Sequence, residues 1–82
     1  MKHLDEVRDI LGDVMSLGDR KTLLKEDSTL LGSIPELDSM AVVNIITALE
    51  EHFGITVADD EISARTFETL GSLTRFVEQK LD

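Results

Sequence analysis

The apolar residues at the start of the chain recur at helical spacing. Leu4, Val7 and Leu11 follow one another at intervals of three and four residues, so they share one face of a helix. This pattern predicts a first helix from about residue 3 to residue 16, with Gly18 ending it.

The second helix is predicted from Asp38-Ser39 to about His52. Asp38 is a favourable N-cap, and Gly54 follows the predicted end of the helix, where glycine is preferred. Between the first two helices lies a long connection, residues 17–37, which is expected to pack down through its own apolar side chains. The predicted anchors are Leu23, Leu24, Leu30, Leu31 and Ile34.

The last third of the chain predicts a short helix and a longer one. An extended linker at residues 55–57 leads to a short helix at about residues 60–65, capped by Asp59 or Asp60. Thr69 is expected to cap the last helix, whose apolar face carries Leu70, Leu73, Phe76, Val77 and Leu81. The predicted fold is therefore all-α, a bundle of three main helices and one short helix with a long first loop. A single domain is expected to span residues 1–82.

The second helix carries apolar residues on two faces. At about 100° per residue, the core-facing stripe contains Val42, Ile45, Leu49 and Phe53. The face that carries Ser39 holds a second set, namely Met40, Val43, Thr47, Glu50 and Glu51. Because a helix that only packs in a bundle needs one apolar face, the second face is typical of a partner-docking surface. The alternative is that the short helix covers it.

Charge narrows the classes of partner. The 82 residues include eight Lys/Arg and seventeen Asp/Glu, for a net charge of −9. Such a surface repels nucleic acid and anionic membranes and attracts basic protein surfaces. Nine acids and no Lys or Arg lie between Glu26 and Ala64, so the whole net charge resides there. No apolar run has the length of a membrane span or a signal peptide, and we expect a cytoplasmic protein without membrane insertion.

The side chains needed for catalysis are missing. The chain has no cysteine, and its two histidines, His3 and His52, are not spaced to pair with a serine or to hold a metal. Ser39 by itself is a serine in the first turn of a helix, where capping is the usual role. The residues therefore predict a protein that is not an enzyme.

A longer stretch around Ser39 resembles a known signature. Residues 31–40, Leu-Gly-Ser-Ile-Pro-Glu-Leu-Asp-Ser-Met, are similar to the phosphopantetheine-attachment signature of acyl carrier proteins, with methionine in place of the usual leucine. Residues 49–55 resemble the end of the family's second helix and its exit loop, and residues 67–73 resemble the start of its last helix. The resemblance covers essentially the whole chain.

The resemblance implies a carrier protein with 4′-phosphopantetheine, obtained from coenzyme A, on Ser39. In the family pattern Asp38 is the motif acid that contacts the transferase, a role compatible with N-capping. The implied partners are a phosphopantetheinyl transferase and acyl-activating ligases or synthase-type enzymes with basic docking surfaces. A monomer is expected.

Two alternatives stay open. A peptidyl or aminoacyl carrier protein shares the fold and the serine but is commonly less acidic, so the net charge of −9 favours acyl cargo. An unmodified acidic helical module, which binds a partner helix through Met40 and Val43, is the alternative from another class. Many fatty-acid carriers bear further acids in the first half of the second helix, where this chain has Ala41 and Asn44. The pathway, whether fatty-acid, polyketide or another specialised one, therefore stays open.

Overall fold

A computed structural model describes residues 2–32, 34 and 37–81, and only the backbone of Asp59. It contains three α-helices: α1 (Leu4–Val14), α2 (Ser39–Phe53) and α3 (Leu70–Leu81). Two 3₁₀ helices, Gly18–Leu23 and Asp59–Glu61, lie in the connections. The predicted all-α fold is confirmed. Ser33, Pro35 and Glu36 of the attachment signature fall outside the described residues, as does the Asp59 side chain proposed as a cap.

The core lies where α1 packs against both α2 and α3. Each helix contributes its apolar stripe, and buried loop residues, among them Leu30 and Phe67, complete the core. The fully enclosed members include Val7, Leu11, Leu30, Ile45, Leu49, Phe67, Leu70, Leu73 and Val77. Within the described part of the chain, no helix is long and apolar enough to cross a membrane.

Helix α1 ends earlier than its periodicity predicts. The helix stops at Val14, and Ser16 adopts a left-handed conformation with φ 53°, two residues before Gly18. Met15 and Leu17 are both buried beyond this point. Both side chains join the core from the turn that follows α1.

The long first connection packs down with only some of its predicted anchors. Leu24 and Leu30 are buried and Ile34 is half-buried, but Leu23 and Leu31 are exposed, which corrects the prediction for those two leucines. Backbone hydrogen bonds fasten the loop instead. They join it to the segment that enters α3, as Leu30 N–H to Glu68 O, Leu31 N–H to Phe67 O, Leu70 N–H to Ser28 O and Gly71 N–H to Glu26 O.

The short helix predicted at residues 60–65 is a single 3₁₀ turn, Asp59–Glu61, followed by irregular turns. Polar side chains bind the backbone of this segment locally. The Glu61 carboxylate accepts a hydrogen bond from the Ala58 N–H at 2.9 Å, and the Thr66 hydroxyl accepts one from the Ser63 N–H at 3.4 Å. The Glu61 bond lies at the start of the turn, as in a capping box, and the Thr66 bond lies in the irregular turns that follow it.

Helix α3 begins as predicted and orients two of its apolar residues differently. The Thr69 hydroxyl accepts from the Ser72 N–H while the Ser72 hydroxyl accepts from the Thr69 N–H, both at 3.0 Å, a reciprocal cap. Phe76 is only half-buried and Leu81 is exposed, which corrects their assignment to the core face. Thr74 is fully buried in their stead, because its hydroxyl donates to the Leu70 carbonyl at 2.8 Å.

Candidate attachment site and docking face

Ser39 is the first residue of α2 and is exposed. The capping role belongs to its neighbour, because the Asp38 carboxylate accepts a hydrogen bond from the Ala41 N–H at 2.8 Å. Within the described part of the chain, the Ser39 hydroxyl has no hydrogen-bond partner. The hydroxyl is therefore accessible at the end of a rigid element and is not needed to hold that element together.

The surroundings of this hydroxyl suit a phosphate ester. The Ala41 N–H is bound by Asp38, and the Val42 N–H donates to the Asp38 carbonyl, at 2.8 and 3.0 Å. The first turn of α2 contains no acidic residue. A phosphodiester at Ser39 would thus lie at the positive end of the helix dipole, and the one adjacent carboxylate, that of Asp38, is bound to the Ala41 N–H. The residues present fit the phosphate end of a phosphopantetheine arm.

Two large apolar side chains lie exposed beside Ser39. Met40 is 66% exposed and Val43 is 58% exposed. The alternative that the short helix covers this face is wrong, because the single 3₁₀ turn leaves both side chains open. Thr47 is also exposed, but its hydroxyl donates to the Val43 carbonyl at 3.0 Å. Thr47 therefore offers a methyl group more readily than a hydrogen-bond donor.

The two acids at the far end of α2 have different surroundings. Glu50 is half-buried, and its carboxylate accepts a hydrogen bond from the Val57 N–H at 2.8 Å. Its backbone carbonyl accepts from the N–H groups of Gly54 and Ile55. Glu51 is exposed. Glu50 therefore holds the exit loop of α2, while Glu51 is free to meet a partner; the sequence pattern alone did not distinguish them.

Helices α1 and α2 are joined at the end remote from Ser39. Oε2 of Glu6 lies 2.9 Å from Nε2 of His52, and Oε1 of Glu6 lies 3.1 Å from Nδ1 of His3. Both imidazole rings also make edge contacts with the Phe53 ring. These hydrogen bonds, from His52 first and His3 second, lower the pKa of Glu6. The His52 side chain is 49% exposed.

Neither histidine can activate Ser39. His52 is thirteen residues along α2 from the serine, about 20 Å at the helical rise of roughly 1.5 Å per residue. His3 binds the same carboxylate as His52. The described residues also contain no group of three or more potential ligands that could hold a metal ion. Within the described part of the chain, no histidine therefore lies within reach of the Ser39 hydroxyl.

Comparisons with known proteins agree with this site. The family model described as "Phosphopantetheine attachment site" matches residues 5–77. An acyl carrier protein from a Sulfurovum species is 31% identical over 95% of this chain and 97% of its own length. One from Wolinella succinogenes is 28% identical over 95% of this chain and 96% of its own.

A solved structure is similar over nearly the full length. The solution structure of a holo acyl carrier protein from Nitrosomonas europaea has a TM-score of 0.93 and 70% identity, covering 99% of this chain and 98% of that one. The chain belongs to the acyl carrier protein family, whose phosphopantetheine-attachment domain it contains. It is a carrier and not a catalyst, and the cofactor that its family indicates is covalently attached 4′-phosphopantetheine. Its partners in general are a phosphopantetheinyl transferase and enzymes that handle acyl groups.

Proposed function

We propose that Ser39 is the residue that receives 4′-phosphopantetheine, and that residues 1–82 act as one carrier domain in the cytoplasm. The observation that carries this proposal is the exposed Ser39 hydroxyl at the start of α2, directly after an N-cap supplied by Asp38. A modified serine must be reachable by a transferase and fixed in position. Ser39 meets both conditions, because the Asp38 cap keeps the helix start intact.

The attachment step transfers a group from coenzyme A. The Ser39 Oγ attacks the phosphorus that bears the pantetheine arm, and a new Oγ–P bond forms as the pyrophosphate P–O bond breaks. The serine proton passes to a base of the transferase, and adenosine 3′,5′-bisphosphate leaves. When attached, the arm would supply the terminal thiol that holds acyl groups as thioesters, so the chain needs no cysteine of its own.

The docking face proposed for partner enzymes consists of Met40, Val43, Thr47, Glu50 and Glu51. The exposure of Met40 and Val43 supports an apolar centre, and exposed Glu51 supplies a negative charge at its edge. Basic residues of a ligase or synthase would pair with that charge, which chiefly raises the association rate. Glu50 contributes to this face through the loop that it holds.

We propose acyl cargo in preference to aminoacyl or peptidyl cargo. The net charge of −9 supports this choice, since the acyl class is the more acidic one. The relatives compared above are named acyl carrier proteins. Ala41 and Asn44, at positions where many fatty-acid carriers have acids, favour a dedicated acyl pathway with its own ligase or synthase.

The proposal is tested by intact mass after co-expression with a broad-specificity phosphopantetheinyl transferase. The wild-type chain should gain the mass of one phosphopantetheinyl group, and Ser39→Ala should gain none. Ser72→Ala is the matched control and should still be modified, since the Ser72 hydroxyl is engaged in capping α3. If the Ser39→Ala variant is still modified, at Ser33 or Ser72, the assignment of Ser39 is wrong. If the wild-type chain stays unmodified, the result favours the unmodified interaction module.

A further inference from the structure

A groove of about 650 Å³ lies beside α3, and Ser39 is not among the residues that line it. The segment that precedes α3 forms one wall, and the solvent side of α3 forms the other. The side chains that line it include Arg65, Thr66, Glu68, Arg75, Phe76 and Gln79. None of them comes from α2, so this surface is separate from the proposed docking face.

The groove carries two arginines and one carboxylate, that of Glu68, so its lining is net positive on a strongly acidic protein. Arg65 and Arg75 are both exposed, and neither forms an ion pair with any other residue that the structure describes. Three other cations are paired with carboxylates close to them. Arg8 lies 2.6 Å from Asp5, Lys21 lies 3.4 Å from Asp9, and Lys80 pairs with Glu61. Two guanidinium groups without an internal carboxylate are thus available for an external one.

The remaining lining determines which ligand chemistry fits. The Ser72 hydroxyl in the same groove donates to the carbonyls of Thr66 and Thr69, so it is committed to the start of α3. Half-buried Phe76 offers an apolar ring, and exposed Gln79 offers an amide. Recognition therefore combines carboxylates, which guanidinium groups bind in bidentate fashion, with an apolar contact.

We propose that this groove binds an acidic segment of a partner protein, with carboxylates on Arg65 and Arg75 and an apolar side chain on Phe76. A peptide is favoured over a single small anion because the guanidinium groups are exposed, where each ion pair contributes little and several contacts must add. The carrier would then bind one partner at α2 through its own acids and another at α3 through its arginines. The inference does not depend on modification of Ser39.

The test is a titration of the full-length, ¹⁵N-labelled chain, followed by amide chemical shifts at about 0.1 M salt. The probe is acetyl-Glu-Leu-Glu-Leu-Glu-amide, and the matched neutral peptide replaces each Glu by Gln. The acidic peptide should shift amides at 65–68 and 75–79 and leave those of α2 in place. Arg65→Gln with Arg75→Gln should weaken binding at least about threefold, since two exposed pairs are lost.

The control removes two positive charges elsewhere, with Lys2→Gln and Lys25→Gln, both exposed lysines. It should leave the peptide affinity within about twofold of wild type. Each single arginine variant is measured as well, so the result stands if the double variant folds poorly. The proposal is overturned by shifts that are absent or scattered, by equal binding of the neutral peptide, or by equal weakening in the lysine control. Shifts reproduced by acetate at the same carboxylate concentration would overturn it in favour of a small-anion site.

Discussion

Oε2 of Glu6 lies 2.9 Å from Nε2 of His52, and this contact joins the start of α1 to the end of α2. The two residues are 46 positions apart in the chain. Glu6 binds His3 with its other oxygen, and the backbone N–H of His3 donates to the Glu78 carboxylate of α3 at 3.1 Å. A single carboxylate on α1 is thus the centre of a polar network that touches all three helices.

Acid should weaken this network, and Glu6→Gln tests it. The pKa of Glu6 in the folded chain lies below its ordinary value of 4.5. The carboxylate therefore contributes stability that is fully present above pH 4.5 and is lost as the pH falls through the lower folded value. Urea unfolding from pH 7 to pH 3 should show wild type more stable than Glu6→Gln near pH 6, with the difference shrinking as the pH falls.

Glu51→Gln is the matched control for that experiment, because exposed Glu51 has no partner among the described residues. Its stability difference from wild type should not shrink in acid. If the difference in unfolding free energy between wild type and Glu6→Gln is constant across the whole pH range, the role assigned to the Glu6 carboxylate is contradicted.

The close approach of the first connection to α3 makes Gly71 sensitive to substitution. A Cβ at residue 71 would lie 2.8 Å from the carbonyl oxygen of Glu26, whose backbone the Gly71 N–H already binds at 2.7 Å. Gly71→Ala should therefore lower the free energy of unfolding by about 1–3 kcal/mol, as overpacking against backbone does. Chemical unfolding at neutral pH measures the change.

Gly12→Ala is a helical glycine substitution of the same kind with a softer neighbour. A Cβ there would meet only carbons of the Lys21 side chain, the nearest at 2.6 Å. That side chain is flexible and can move, and alanine improves helix propensity by about 1 kcal/mol. Gly12→Ala should therefore be clearly less destabilising than Gly71→Ala, and the reverse order would show that the contact with Glu26 is not rigid.

The division of roles between Asp38 and Ser39 predicts different costs for their loss. Asp38→Ala removes the hydrogen bond to the Ala41 N–H and should cost about 1 kcal/mol of stability. Ser39→Ala removes a hydroxyl with no partner in the described structure and should cost only a few tenths of a kcal/mol. Thermal unfolding followed by circular dichroism compares the two, and an equal or larger loss for Ser39→Ala would mean that the serine shares the cap.

The docking face should respond to Glu51→Lys and Val43→Asp in different ways. Glu51→Lys replaces attraction to a basic partner by repulsion, so loading by the transferase should slow, most strongly at low salt. Val43→Asp places a charge in the exposed apolar centre and should slow loading at all salt concentrations. Both variants should keep wild-type circular dichroism, because both positions are exposed.

Asp13→Lys on α1 is the control for Glu51→Lys, since Asp13 is exposed and its replacement makes the same change in net charge. Equal slowing by Asp13→Lys would mean that total charge, rather than a defined face, governs loading. Glu50→Lys belongs in a separate comparison, because it also breaks the bond to the Val57 N–H.

Local signals in the sequence were enough to predict α2 and the position of its serine. Asp38 before an apolar-periodic run and Gly54 after it set the ends of the helix, and the structure has them as N-cap and left-handed C-cap. The apolar spacing also predicted two faces, and Met40 and Val43 are exposed as that pattern requires. These features follow from backbone capping and from helical periodicity, which act within a few residues.

Tertiary structure alone decided the features that depend on segments distant in sequence. Leu23 is exposed, and Phe76 lines the groove of α3. In both cases the outcome depends on which segment of the chain packs beside the side chain. The different roles of Glu50 and Glu51 likewise depend on the exit loop of α2. The loop folds back and brings the Val57 N–H to the Glu50 carboxylate, while Glu51 stays exposed. Periodicity assigns a residue to a side of its helix, but the partners on that side come from packing between elements, because burial and hydrogen bonding depend on the atoms that surround a side chain in space.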